Sequence, residues 1–168
     1  YQPPAALSAV RDSKQLSPAQ RGALAPLVRE HALTCAVGFS TCGEIDALGI
    51  LPATRLAMSR ALEQLGQQPQ HLLLDALFLP DDPLPQTALI KGDQRSLSIA
   101  AASILAKTAR DEWMVRYADE EPLYGFARHK GYGTRSHQSA LAAHGPCPQH
   151  RKSYAPIRNL LNKDTGAD

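Results

Sequence analysis

The segment Lys91-Gly92-Asp93, followed by Ser98-Ile-Ala-Ala-Ala-Ser-Ile-Leu-Ala-Lys107-Thr-Ala-Arg-Asp111, constrains this chain more than any other. A short apolar strand, Thr87 to Ile90, runs into a lone carboxylate. A helix then starts whose first turns hold almost nothing larger than alanine. Side chains that small let a helix approach a sheet or a ligand backbone closely, while Lys107 and Arg110 put positive charge further along it. Downstream, Tyr124-Gly-Phe-Ala-Arg-His-Lys-Gly-Tyr-Gly-Thr134 reads as a basic loop with interleaved aromatics. A carboxylate at a strand end together with such a loop points to metal-assisted chemistry on a phosphate backbone.

The pattern around this segment predicts alternating helices and strands. Ser17-Pro18-Ala-Gln20 carries the N-cap, the first-turn proline and the capping-box glutamine of a helix running to about His31, kinked or ended early by Pro26. Leu33 to Ser40 reads as a buried strand with Cys35 as a small core residue, and Cys42 to Gly49 as a short helical turn with Gly49 as its C-cap. Pro52 to Leu65 is an amphipathic helix with Leu56, Met58, Leu62 and Leu65 on one broad face. His71 to Asp75, with three consecutive leucines, reads as a strand buried on both faces. A proline-rich loop, Pro80 to Pro85, leads to the strand Thr87 to Ile90. Helices follow at Ser98 to Tyr117, Thr134 to His144 and Pro156 to Leu161. The alternation implies an α/β fold with a mixed or parallel sheet, and 168 residues suit a single domain, 1–168.

Charge is distributed unevenly. Through Ile90 there are 6 Lys and Arg against 8 Asp and Glu, whereas Lys91 to Lys163 carries 12 against 6. From Tyr124 to Lys163 there is no acid at all. A solvated surface normally mixes both signs, so this stretch reads as the footprint of a polyanion. No segment approaches the length of a membrane span. Three cysteines at unrelated spacings argue against a disulfide framework and fit a reducing cytoplasm.

Two successive strands end in aspartate, at Asp75 and Asp93. If they are parallel neighbours, both carboxylates emerge where α/β sheets bind ligands, and two carboxylates can share a hard cation such as Mg²⁺. Either aspartate taken alone also reads as a helix cap or a turn residue. His137, His144, Cys147 and His150 match no standard zinc spacing, and solvated or packed histidines in a basic segment are the better reading.

Taken in order, these segments resemble bacterial ribonuclease HII. The matching residues are Asp12-Ser-Lys14-Gln-Leu16-Ser17, Glu44-Ile-Asp46, Leu74-Asp75, Lys91-Gly-Asp93, Ile99 to Lys107, Arg110-Asp111, Tyr124-Gly-Phe126, His129-Lys-Gly-Tyr132-Gly-Thr134, His137 and His150-Arg151. The resemblance implies a ribonuclease H-like mixed sheet flanked by helices, with a C-terminal helical, basic region. It implies an endonuclease that cuts the RNA strand of RNA–DNA hybrids and cuts 5′ to single ribonucleotides in duplex DNA, using Mg²⁺ or Mn²⁺. Four carboxylates hold the metals in that family, and two of them match Asp75 and Asp93. Lys14 and Tyr132 match residues used against the substrate, and Lys130 and Arg135 add charge for its phosphates.

The other two family carboxylates open an Asp-Glu motif, continuing Gly-Arg-Gly, on the first strand. The sequence begins at Tyr1 and holds no such motif. The reading is therefore of a chain lacking the leading two strands, inactive alone, with a gap beside Leu33 to Ser40 and unpaired backbone groups there. A non-hydrolytic hybrid-binding protein is the alternative. Ala76, where the family usually has Gly, and Arg11, where it often has Asn, are smaller departures. The expected protein is monomeric and cytoplasmic, with a ribonucleotide-containing duplex as its partner.

Overall fold

The computed structural model describes residues 4–164. Helix α1 (Pro18–His31) begins on the reciprocal capping box of Ser17 and Gln20 and continues through Pro26 without ending. Gly22, whose carbonyl would receive the N–H that Pro26 lacks, is exposed like Pro26 itself, so water can serve that carbonyl. Helix α2 (Cys42–Leu48) has a second capping box, from Thr41 and Glu44, and stops at Gly49 with φ 84°. Helix α3 (Ile50–Glu63) follows directly. Strands β1 (Leu72–Asp75) and β2 (Gln86–Leu89) pair in parallel, Leu72 opposite Gln86 and Asp75 opposite Leu89. Helix α4 (Leu97–Glu120) is the longest element. The short α5 (Phe126–His129), α6 (Arg135–His144) and α7 (Ala155–Asp164) complete the chain. None of the described helices is long and apolar enough to cross a membrane.

The chain divides into two compact units, one reaching to Phe39 and resuming over Ala57–Arg110, the other made of Ser40–Leu56 and the residues from Asp111 onward. In the first, Leu16, Leu24, Ala25 and Val28 pack on Ile104 and Leu105 of α4. The small residues of α4 therefore pack against α1 and the segment before it, where Ser103 Oγ lies 2.6 Å from Ser13 Oγ. In the second, Met114, Tyr117, Tyr124, Phe126 and Cys147 form the core. Tyr117 stacks on Trp113, and Phe126 stacks on Tyr124.

Three sequence expectations change. Among the described residues, 33–40 belong to no strand. A strand exists through its ladder, and here the Phe39 carbonyl is taken by the Arg60 guanidinium at 2.8 Å. Leu33 is 91% exposed and Cys35 is exposed, so neither is a core residue. Leu73 of β1 is 43% exposed, so β1 is not buried on both faces. Leu56, Met58 and Leu62 of α3 are only half-buried and Leu65 lies beyond its end; Ala53 is its one buried position.

Candidate functional site

The first unit assembles the carboxylates through one loop. Beyond β2 the backbone turns through Lys91 in the left-handed region, φ 55°, into a 3-10 turn over Gly92–Gln94. Gly92 donates its N–H to Asp75 Oδ1 at 2.8 Å, tying the end of β1 to the loop that follows β2. A β-carbon on Gly92 would stand 2.6 Å from Ile99 Cδ1 and 3.4 Å from the Asp75 Cα, so this close approach favours glycine. Asp93 is the next residue, 7% exposed. The pair sits as the sequence predicts, on parallel neighbours, although Asp93 belongs to a 3-10 turn and not to the strand end itself.

Lys14 reaches the same place from the N-terminal segment, its ammonium 3.7 Å from Asp93 Oδ2. Asp12 sets that geometry. Its side chain caps the 3-10 turn Ser13–Gln15 by accepting the Lys14 N–H at 2.9 Å. That bond holds its carboxyl below the usual range. Buried Arg21 donates to the Ser13 and Leu16 carbonyls from α1 and fixes the turn from below. A cleft of about 380 Å³ opens beside these groups, lined by Arg11, Asp12, Asp93, Gln94 and Arg95 among others. From the sequence, Arg21 has no part in the site, and Asp12 only a place in the family resemblance with no role. The signal was there in the Asp-Ser-Lys spacing, which allows an aspartate to cap the turn bearing the lysine.

The donors fit a hard divalent cation in kind, since both are carboxylate oxygens. They do not complete its shell: among the described residues no group of three His, Cys, Asp or Glu could hold a metal.

The second unit holds the basic loop. Lys130 and Gly131 both have positive φ, 51° and 78°, and turn the chain sharply after α5. Tyr132, 53% exposed, stands at the tip. Its N–H donates to the His129 carbonyl at 2.8 Å, and its carbonyl accepts from Thr134 N–H at 2.8 Å and His137 Nδ1 at 3.0 Å. The Lys130 ammonium folds back to the Ala127 carbonyl, and Arg135 is exposed at the start of α6, behind the Thr134 N-cap. Asp46 of α2 supplies an acid to the acid-free stretch, accepting from the N–H groups of Lys152 and Ser153 and from the Ser153 hydroxyl. Those bonds lower its pKa, the Ser153 hydroxyl foremost. Arg151 lies over the Tyr154 ring, 5.2 Å from its centroid.

Of the two states the sequence leaves open for these histidines, both occur. His129, His137 and His150 are buried against Phe126, and His144 is exposed at the edge of Tyr124. Burial pushes His137 and His150 down and the Cys147 thiol up.

Residues 5–157 match the family model described as ribonuclease HII. The chain is 51% identical over 161 residues to the ribonuclease HII of Chloroflexus aurantiacus, covering 96% of this chain and 76% of that protein. It is 50% identical to the ribonuclease HII of a Synechococcus species, covering 97% of this chain and 73% of the relative. The crystal structure of ribonuclease H2 from Pyrococcus horikoshii superposes with a TM-score of 0.75. That match covers 94% of this chain and 82% of the other at 23% identity, a likeness of fold.

Proposed function

The chain belongs to the ribonuclease HII family, and from that premise we propose that its site serves an endonuclease acting on ribonucleotide-bearing duplexes. The reaction is hydrolysis of the phosphodiester 5′ to a ribonucleotide: water adds to phosphorus, the bond to the 3′-oxygen breaks, and a 3′-hydroxyl and a 5′-phosphate remain. The observation that carries the reading is the Gly92 N–H bond to Asp75, which sets buried Asp93 beside the end of the neighbouring parallel strand. Asp75 and Asp93 would hold Mg²⁺ or Mn²⁺, which supplies water activation and stabilisation of the leaving oxygen.

The chain's own residues do the rest. Gly92 orients the Asp75 carboxylate through its Oδ1. Lys14 neutralises Asp93 from a side chain that is 82% exposed, which suits an ammonium that also meets a substrate phosphate. Lys130 and Arg135 bring positive charge to the duplex backbone. The exposed Tyr132 ring, in a Gly-flanked loop, stacks on the sugar after the ribonucleotide and selects an RNA-to-DNA junction.

One observation favours a second reading for this polypeptide taken alone. Two carboxylates without a third donor among the described residues suit recognition better than turnover. The test is incubation of the 168-residue chain, in Mg²⁺ or Mn²⁺, with a duplex carrying one ribonucleotide and with its all-DNA counterpart. The expected result is tighter binding of the ribonucleotide-bearing duplex and no cleavage. Equal affinity for both duplexes would overturn the substrate class. Cleavage near the rate of a ribonuclease HII relative would show that two carboxylates suffice.

A further inference from the structure

The histidines of the second unit have their proton positions dictated by their partners. His150 Nδ1 lies 3.0 Å from the Cys147 backbone N–H, which can only donate, so this nitrogen accepts. A neutral ring then carries its proton on Nε2. That atom lies 2.9 Å from His137 Nε2, which must accept in turn. His137 therefore carries its proton on Nδ1 and donates it to the Tyr132 carbonyl at 3.0 Å. His129 completes the cradle from the other side. Its Nδ1 accepts the Gly131 N–H at 3.2 Å, and its Nε2 donates to the Tyr124 carbonyl at 2.7 Å. The two rings lie flat on one another, centroids 4.5 Å apart and 14° from parallel. All three rings are buried, so these bonds face little competition from water.

We infer that His150 and His137 form a proton-ordered relay that fixes the Tyr132 backbone and so sets the junction selectivity of its ring. The inference rests on the reading of Tyr132 proposed above. His137 is a positioning residue: it touches no substrate and acts through the carbonyl of the residue that does. The order along the relay admits one arrangement of protons, Cys147 N–H to His150, His150 to His137, His137 to Tyr132. A proton added to His137 would set two donors against each other at 2.9 Å, and one added to His150 would set its Nδ1–H against the Cys147 N–H at 3.0 Å, so either breaks the order that holds the loop. Burial holds both rings neutral, which keeps the relay intact near neutral pH.

The test uses the 168-residue chain with three variants, Tyr132→Ala, His137→Ala and His137→Asn. Asparagine places an amide N–H where His137 carries Nδ1–H and so keeps the bond to Tyr132, while losing the partner of His150. Two quantities are read: hydrogen exchange of the amides at 131–134, and the ratio of affinities for an RNA–DNA junction duplex and a uniform hybrid. His137→Ala is expected to speed exchange at Tyr132 and Thr134 by about tenfold, the loss of one buried hydrogen bond. It should also reduce junction preference to the level of Tyr132→Ala, and His137→Asn should restore most of both. Unchanged junction preference in His137→Ala, or a folded His137→Asn that restores nothing, overturns the relay. If Tyr132→Ala leaves junction preference unchanged, the reading of Tyr132 fails and the selectivity claim with it, and the exchange rates alone then judge the relay. Imidazole nitrogen shifts of the unmodified chain decide independently of any variant: His137 protonated on Nδ1 and His150 on Nε2 support the relay, and any other pair of tautomers overturns it.

Discussion

At the scale of single residues, the site is bordered by backbone that L-amino acids adopt at a cost. Ala76, directly after Asp75, has φ 57°. A β-carbon in the left-handed region costs roughly 1–2 kcal/mol, part of which glycine gives back as entropy in the unfolded chain. Ala76→Gly is therefore expected to raise stability by about 1 kcal/mol, read as a shift in the urea midpoint at constant slope. A null result would mean that the β-carbon packs well enough to repay the strain. Tyr132 is tested differently, because it carries no charge. Phosphate contacts make binding fall steeply with salt, so Lys130→Ala and Arg135→Ala should weaken duplex binding and flatten its salt slope while leaving junction preference alone. Tyr132→Ala should leave the slope unchanged and cost about 1–3 kcal/mol on the junction substrate, the scale of one base–aromatic stack. Equal losses on junction and uniform hybrid would make Tyr132 a loop-packing residue.

At the scale of elements, backbone contacts decide more than side-chain pattern. A β-carbon on Gly38 would lie 2.0 Å from the Ala57 carbonyl oxygen and 2.7 Å from the Ala61 nitrogen. Helix α3 thus rests directly on the backbone of residue 38, and a helix backbone cannot yield as a side chain does. Gly38→Ala is expected to cost about 3 kcal/mol or more, measured by thermal unfolding. The second unit should be sensitive to acid. His137 and His150 are held below the ordinary value of about 6.5 by burial, among His129, Cys147, Tyr117 and Tyr124. The unfolded chain then binds protons that the folded one refuses, so stability is full above about pH 6.5 and declines as pH falls through that value. Proximity of the two histidines in sequence was legible; their contact was not, because it depends on how α6 and the loop after Cys147 meet. The same division holds elsewhere. Capping residues announce the start of α1 and the end of α2 within a residue or two, since the signals are local. Residues 33–40 carry the composition of a buried strand and are not one, because pairing is a property of the partner and not of the segment. The carboxylate pair was legible as two strand ends, whereas Asp12 and Arg21 emerge only once the turn around Lys14 is built.

At the scale of the whole molecule, the proposed reading assigns recognition and chemistry to different parts of the chain. The carboxylates and Lys14 belong to the unit built on α1, the two strands and the first half of α4. The basic loop and its histidines belong to the other. If that division of labour holds, removing a carboxylate abolishes cutting without weakening the grip on the duplex. The decisive measurement is single-turnover cleavage of a duplex carrying one ribonucleotide, with affinity measured alongside. It is made on the protein as its gene encodes it, unmodified and with Asp75→Asn or Asp93→Asn. Each substitution removes one ligand charge, a loss of several kcal/mol, so each should slow cleavage by about three decades or more. Affinity, which the proposal assigns to Lys and Arg on phosphates, should change by no more than about twofold. A variant that kept most of its turnover would return that aspartate to a structural role, and with it the account of how this site cuts would be contradicted.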